Sequence, residues 1–177
     1  SIRYKILTGN PEQPKVWNDL TEFLQRKFKY KDGKEIPISL TCIDTGDHTT
    51  QVYEYLRDTP FIPARGIKGQ GGAIPAIHKI SDTNNYGLDI IMLGVDALKD
   101  TFFSLIEAKP NEYGYCHYPV DKDHNEHYYK SLMSEEKRLK WNPETGAKKL
   151  QYVKIRARNE GLDLRNYAFA ALLMCIA

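Results

Sequence analysis

Three aspartates stand where this chain could do chemistry: Asp44, Asp96 and Asp163. Asp44 follows Ile38-Ser-Leu-Thr-Cys-Ile43, a short β-rich apolar run, and precedes Thr45-Gly46 and a helical pattern. Asp96 follows Leu88-Asp-Ile-Ile-Met-Leu-Gly-Val95, a second apolar run, and again a helical pattern comes next. Asp163 falls in the first turns of an apolar helical stretch that opens at Arg158-Asn-Glu-Gly. Each carboxylate thus ends a buried element, at the kind of edge where α/β proteins keep their ligands. Such a group reads in three ways: helix cap, ion-pair partner or metal ligand. If the three converge, they offer the hard oxygen donors that magnesium or manganese prefers, with room for water and phosphate. Two such ions about 3.5–4 Å apart can activate a water and stabilise the leaving oxygen in phosphodiester hydrolysis. Lys99, one turn past Asp96 and on its side of the helix, could neutralise charge developing on the scissile phosphate. Asp47 and His48 lie close enough to Asp44 in sequence to support it or to carry a proton.

Periodicity indicates the elements that must hold these groups. Pro11–Tyr30 reads as a helix with Pro14 in its first turn, Val16, Trp17, Leu20, Phe23, Leu24 and Phe28 inward, and Glu22 and Arg26 paired outside. Ile2–Leu7 reads as an edge strand and Ile38–Ile43 as a buried one. Residues 48–58 form a helical pattern with Val52, Tyr53 and Leu56 on one face, and Phe61–Lys68 reads as another strand. Gly69-Gln-Gly-Gly72 is a surface loop or a flap that touches phosphate; with no Lys-Ser or Lys-Thr after it, it is not a Walker A loop. Leu88–Val95 is the second buried strand, and Ala97–Ala108 continues as a helix with Leu98, Phe102, Leu105 and Ile106 inward. The Tyr- and His-rich residues 110–130 read as a polar loop leading into a helix through Leu132. The spacing of Cys116, His117, His124 and His127 matches no standard zinc site. Trp141–Gly146 is a turn between two short strands, the second Leu150–Ala157, and Asn159 is a natural cap for the last helix. Strand, Asp, helix occurs twice, a pattern of the α/β class.

The bulk numbers bound the rest. A chain of 177 residues, 41% of them apolar, suffices for one domain with a proper core. A net charge of +2 rules out a generally polybasic surface, so any nucleic-acid signal must be local. Arg65 and Lys68 flank the glycine loop, and Lys148, Lys149, Lys154, Arg156 and Arg158 crowd the last strand and its exit. Such cations follow a phosphate backbone or protect an edge strand from aggregation. Cys42, Cys116 and Cys175 are odd in number and far apart, as in a reducing compartment. No signal peptide and no apolar run of membrane-spanning length is visible. With no initiator Met and an end inside an apolar run, the chain is expected to be part of a longer protein.

Six segments occur in order: Asp44-Thr-Gly-Asp-His-Thr with Val52-Tyr53, Arg65-Gly-Ile-Lys-Gly69, Gly94-Val-Asp-Ala-Leu-Lys-Asp100, His117-Tyr-Pro119, Ser134-Glu135 and Arg158-Asn-Glu-Gly-Leu-Asp163. Together they resemble the C-terminal nuclease domain of lambda-type (GpA family) phage terminase large subunits, over nearly the whole chain. The resemblance implies one RNase H-like nuclease domain, 1–177, with a central mixed sheet flanked by helices, that cuts double-stranded viral DNA concatemers during packaging in the cytoplasm of the bacterial host. It further implies magnesium or manganese as cofactor, an ATP-driven motor preceding this segment, and the small terminase subunit and portal as partners. Residue by residue, Asp44 resembles the first-strand metal ligand and Asp163 the late, helix-borne one. Asp96 resembles the second acid, with Glu135 and Glu160 as rivals. In one departure, a helix directly follows the first strand, where the usual RNase H-like order is an antiparallel hairpin. Two other readings stand beside this one: a catalytically idle DNA-binding or assembly module working through its basic strand, and another RNase H-like nuclease such as a junction resolvase.

Overall fold

Turn chemistry sets the first departure from the periodic pattern. Helix α1 spans Pro14–Leu24, with Pro14 opening it, and stops six residues before Tyr30. The reason is the next segment: β1 (Phe28–Lys29) pairs with β2 (Glu35–Ile36) across an Asp32-Gly33 turn, with Gly33 at φ 84°. An Asp-Gly step between alternating residues favours a hairpin over a continued helix. The computed structural model describes residues 3–81, 84–141 and 143–176. Ile2 of the expected first strand, Asn142 of the expected turn and Ala177 lie outside them, and residues 3–7 form no strand.

The chain forms two compact units. The sheet unit comprises Ile6–Gln70, Ile77–Leu93 and Ala170–Ala177. Its strands are β3 (Thr41–Asp44), β4 (Ala64–Gln70), β5 (Ile77–Ser81) and β6 (Ile90–Gly94), in the order β3-β4-β6-β5. The β3–β4 pair is parallel and the β5–β6 pair antiparallel, so the sheet is mixed. Parallel neighbours need a crossover, and α2 (Thr49–Asp58) supplies it, packing on β4. This is the helix expected directly after the first strand. Ile67 and Leu93 are wholly buried, with Val52, Tyr55, Ile62, Ile90 and Ile91 around them. Trp17 of α1 packs at a tilt against Tyr55, 5.0 Å between ring centres, and Thr21 Oγ1 lies 3.0 Å from the Tyr55 hydroxyl. Gly69 and Gln70, expected in a loop, belong to β4, and β5 had no counterpart in the sequence reading.

The second unit comprises Ser1–Lys5, Gly71–Ala76 and Gly94–Phe169. It contains α3 (Val95–Ile106), α4 (Glu126–Leu132), the antiparallel ribbon β7 (Glu135–Trp141) and β8 (Lys148–Lys154), and α5 (Glu160–Ile176) as far as Phe169. Asn125 caps α4, accepting from the amides of His127 and Tyr128. Phe102, Tyr128, Leu132 and Leu162 form its core, with Tyr4 and Tyr118 against them. A side chain at Gly161 would run into Ser131 Oγ, so its absence lets α5 start close against α4. The ribbon is pinned at its base: Lys137 Nζ and the Tyr152 hydroxyl both donate to Asp100, and Ile155 N donates to Ser134 O at 2.8 Å. Since β8 ends at Lys154 rather than Ala157, Arg156 and Arg158 lie on the link to α5, not on the strand. The α/β class with a mixed sheet and flanking helices is therefore observed. Among the described residues no helix is long and apolar enough to cross a membrane, and all three cysteines are free.

Candidate active site

Four polar side chains of the second unit form one connected chain. Lys99 lies in the second turn of α3, Glu135 opens β7, Asn159 precedes α5 and Asp163 sits in its first turn. Lys99 Nζ donates to Glu135 Oε2 at 2.6 Å, with side chains only 9% and 6% exposed. The other Glu135 oxygen accepts from Asn159 Nδ2 at 3.1 Å, and the same nitrogen donates to Asp163 Oδ2 at 2.6 Å. An amide nitrogen has two hydrogens, so Asn159 joins two carboxylates that would otherwise repel each other. The buried ammonium compensates Glu135 from the opposite side. Helical spacing sets the second link, because Asn159 and Asp163 are four residues apart. Lys99 also lies 5.3 Å from the Tyr152 ring centre. Burial, the Asp100 hydrogen bond and the nearby Asp100, Asp96 and Glu135 carboxylates raise the Tyr152 phenol far above its ordinary value, so it stays a donor.

The expected residues are distributed unevenly. Asp96 lies in the first turn of α3 rather than at a strand end, and its Oδ2 accepts from Gly72 N at 2.7 Å. Lys99, expected beside Asp96, is instead engaged with Glu135. Glu135, named as a rival for the second acid, shares its amide donor with Asp163; Glu160, the other rival, is exposed at the start of α5. Asp44 is the exposed last residue of β3 in the sheet unit, and its Oδ1 accepts from Gly46 N at 2.8 Å. It does not cap α2, whose cap position is His48 at φ 45°. Asp47 accepts from His48 N at 2.8 Å. Arg65 and Lys68 are exposed on β4; Lys148, Lys149 and Lys154 are exposed on β8, and Arg156 and Arg158 just after it. In the histidine-rich loop, His124 is buried with Nδ1 2.8 Å from Asp121 Oδ1. That bond is the largest influence holding the Asp121 carboxyl below its usual range.

Among the described residues no group of three or more His, Cys, Asp or Glu side chains is arranged to hold a metal ion. What the second unit offers is a carboxylate pair, Glu135 and Asp163, with a fixed amide between them and a buried cation behind. Two oriented carboxylates can hold a hard cation in part, or position and deprotonate a water. Sequence reasoning gave Asn159 only a capping role; the signal for its bridging role was the four-residue spacing to Asp163.

A family model described as terminase large subunit gpA, endonuclease domain, matches residues 1–176. The chain is 25% identical over 180 residues to the terminase large subunit of Enterobacteria phage P21, covering 97% of this chain and 28% of that protein. It is 26% identical over 185 residues to the terminase large subunit of Escherichia phage lambda, covering 99% and 28% respectively. It therefore spans just over a quarter of the length of these relatives. No solved structure matches. With the match running over all but its last residue, the chain belongs to the family of terminase large subunit gpA endonuclease domains.

Proposed function

We propose that this chain is a divalent-cation-dependent endonuclease that cuts double-stranded viral DNA concatemers during genome packaging. The observation that carries the chemistry is the Glu135–Asn159–Asp163 link with Lys99 buried behind it; family membership supports the substrate class. The donor set suits magnesium or manganese, which bind through one or two carboxylates and complete their shells with water and phosphate oxygens. Glu135 and Asp163 would hold such an ion. Asp96, in the first turn of α3, and Asp44, at the end of β3, remain the other proposed acids, each tested on its own below. When bound, the metal supplies an acidified water and offsets charge on the phosphate under attack. Lys99 lies against one Glu135 oxygen and Asn159 fixes the facing oxygens of both acids. Exposed Arg65, Lys68, Lys148, Lys149, Lys154, Arg156 and Arg158 serve as backbone contacts. The accompanying fold reading is RNase H-like, which the mixed sheet supports, although the parallel β3–α2–β4 opening departs from it. Within a longer terminase, acting in the bacterial host cytoplasm, the partners are an ATP-driven motor segment, the small terminase subunit and the portal.

The test is cleavage of linear duplex DNA with manganese. Asp163→Asn and Glu135→Gln should each lose about a hundredfold or more in rate while melting normally in chelator. Manganese should raise the melting temperature of the parent chain but not of Asp163→Asn. Undiminished cutting by Asp163→Asn would overturn the reading; Asp44→Asn and Asp96→Asn test the wider set in the same assay. A second reading, an idle DNA-binding module, draws on the lysine-rich ribbon and predicts salt-sensitive binding with no manganese response. Faster cutting of four-way junctions than of linear duplex would point instead to a resolvase.

A further inference from the structure

Few buried polar atoms of the described residues lack a hydrogen-bond partner, and Ser134 Oγ and both polar atoms of the Asn166 side chain are among them. Ser134 is wholly enclosed and Asn166 is 2% exposed. Each adjoins one acid of the Glu135–Asp163 pair: Ser134 directly precedes Glu135, and Asn166 lies three residues past Asp163 on α5. The deficit is therefore gathered at the acids. Asp163 N donates to Asn159 O at 3.1 Å, so helical phase already holds at Asn159. Spacings of four and three then keep Asn159, Asp163 and Asn166 on one stripe of the helix. That stripe turns the first two toward Glu135, and Asn166 follows them one turn deeper. Helical Cα–Cβ bonds tilt toward the N-terminus, so the Asn166 side chain leans toward Asp163. Leaving both ends of a carboxamide unpaired in the interior is costly, and an apolar side chain of similar shape would avoid the cost. A bound ligand accounts for such a group.

We propose that Asn166 is a third oxygen ligand of the divalent cation held by Glu135 and Asp163, reaching it through its side-chain carbonyl. The inference rests on the reading of the chain as a cation-dependent endonuclease and adds to it a ligand that a search for acids, histidines and cysteines passes over. A carboxamide oxygen is a neutral, hard donor that joins carboxylates around magnesium, manganese or calcium. Neutrality matters at this position. A third carboxylate beside Asp163 and Glu135 would repel both whenever no ion was bound, whereas an amide adds a donor without adding charge. Asp163 is half-buried and Asn166 enclosed. Asn166 would thus close the inner side of the ion and leave the outer side to water and phosphate.

The experiment titrates the whole 177-residue chain with manganese alone by calorimetry, and melts it in chelator and in saturating manganese. Asn166→Leu should bind manganese about tenfold or more weakly than the parent and gain correspondingly less in melting temperature. In chelator it should melt no lower than the parent, because the amide gives up no bond there. Asn166→Asp, which restores an oxygen donor, should bind manganese at least as tightly as the parent and melt lower in chelator, where its charge stands beside Asp163. Equal manganese affinity in the parent and Asn166→Leu, or an Asn166→Asp variant as weak as Asn166→Leu, overturns the added ligand. So does a marked drop in the melting temperature of Asn166→Leu in chelator, which would show the amide bonded in the metal-free chain. If the parent still cuts DNA with manganese in any of these cases, the endonuclease reading survives alone. A parent that neither binds manganese nor cuts DNA overturns both.

Discussion

Lys99 and Glu135 are each almost wholly withdrawn from water, and their removal has unequal consequences. Deleting one partner of a buried ion pair leaves the other charge stranded, which typically costs about 3–5 kcal/mol. Replacing both with apolar groups strands neither charge and leaves only the Asn159 amide hydrogen that faced Glu135 without its acceptor. Lys99→Met should therefore lower stability by about that amount in urea titration, and Lys99→Met with Glu135→Leu should recover much of it. A double variant no more stable than the single one would mean the pair is held for some reason other than mutual compensation. This pairing was out of reach for sequence reading: the partners are 36 residues apart, and nothing in local periodicity couples a helix turn to the first residue of a distant strand. By contrast, the positions of Asp44 at the end of β3 and Asp163 in the opening turn of α5 were readable, because apolar runs with a carboxylate at their ends mark where a buried element stops.

At the scale of elements, α5 carries Asn159 and Asp163 at its start, and its approach to α4 decides where they lie. Gly161 occupies the contact with Ser131. Helix propensity alone favours alanine over glycine by up to about 1 kcal/mol, but a new Cβ here meets the Ser131 side chain, and overpacking typically costs about 1–3 kcal/mol. The clash should win. Gly161→Ala is expected to lower the melting temperature and slow DNA cleavage, and Ser131→Ala in the same chain should restore part of both. Helices α2 and α3 were legible from their 3.6-residue stripes, α4 as a helix running through Leu132 and α5 as an apolar run after the Asn159 cap; α1 was legible but overlong, since Lys27-Phe-Lys-Tyr30 also alternates as a strand. Strand β5 was missed because His78 and Lys79 interrupt any apolar run. The extent of β8 was misread at both ends, for charged residues such as Lys148 and Arg156 give no burial signal to mark a boundary.

Taken whole, the molecule has 25 cations against 23 anions, a net charge of +2. The class α/β followed from alternating strands and helices, whereas the division into two compact units did not, since each unit is assembled from three separate chain segments. So small a net charge exerts little pull on a polyanion at physiological ionic strength, where exposed charges are screened beyond about 8 Å. Any response to one must be local. The Lys140–Lys149 rung makes the ribbon's tip the place where such a response is felt most. Two lysines opposed on one rung weaken that rung of the ladder, and the tip is expected to open more often than the base. Hydrogen exchange should show this directly: heparin should slow the amides near Trp141 and Lys148 while leaving those of β3 and α2 unchanged, and uniform slowing throughout would contradict it. The ribbon would then be a strand pair that closes fully only when it is holding something.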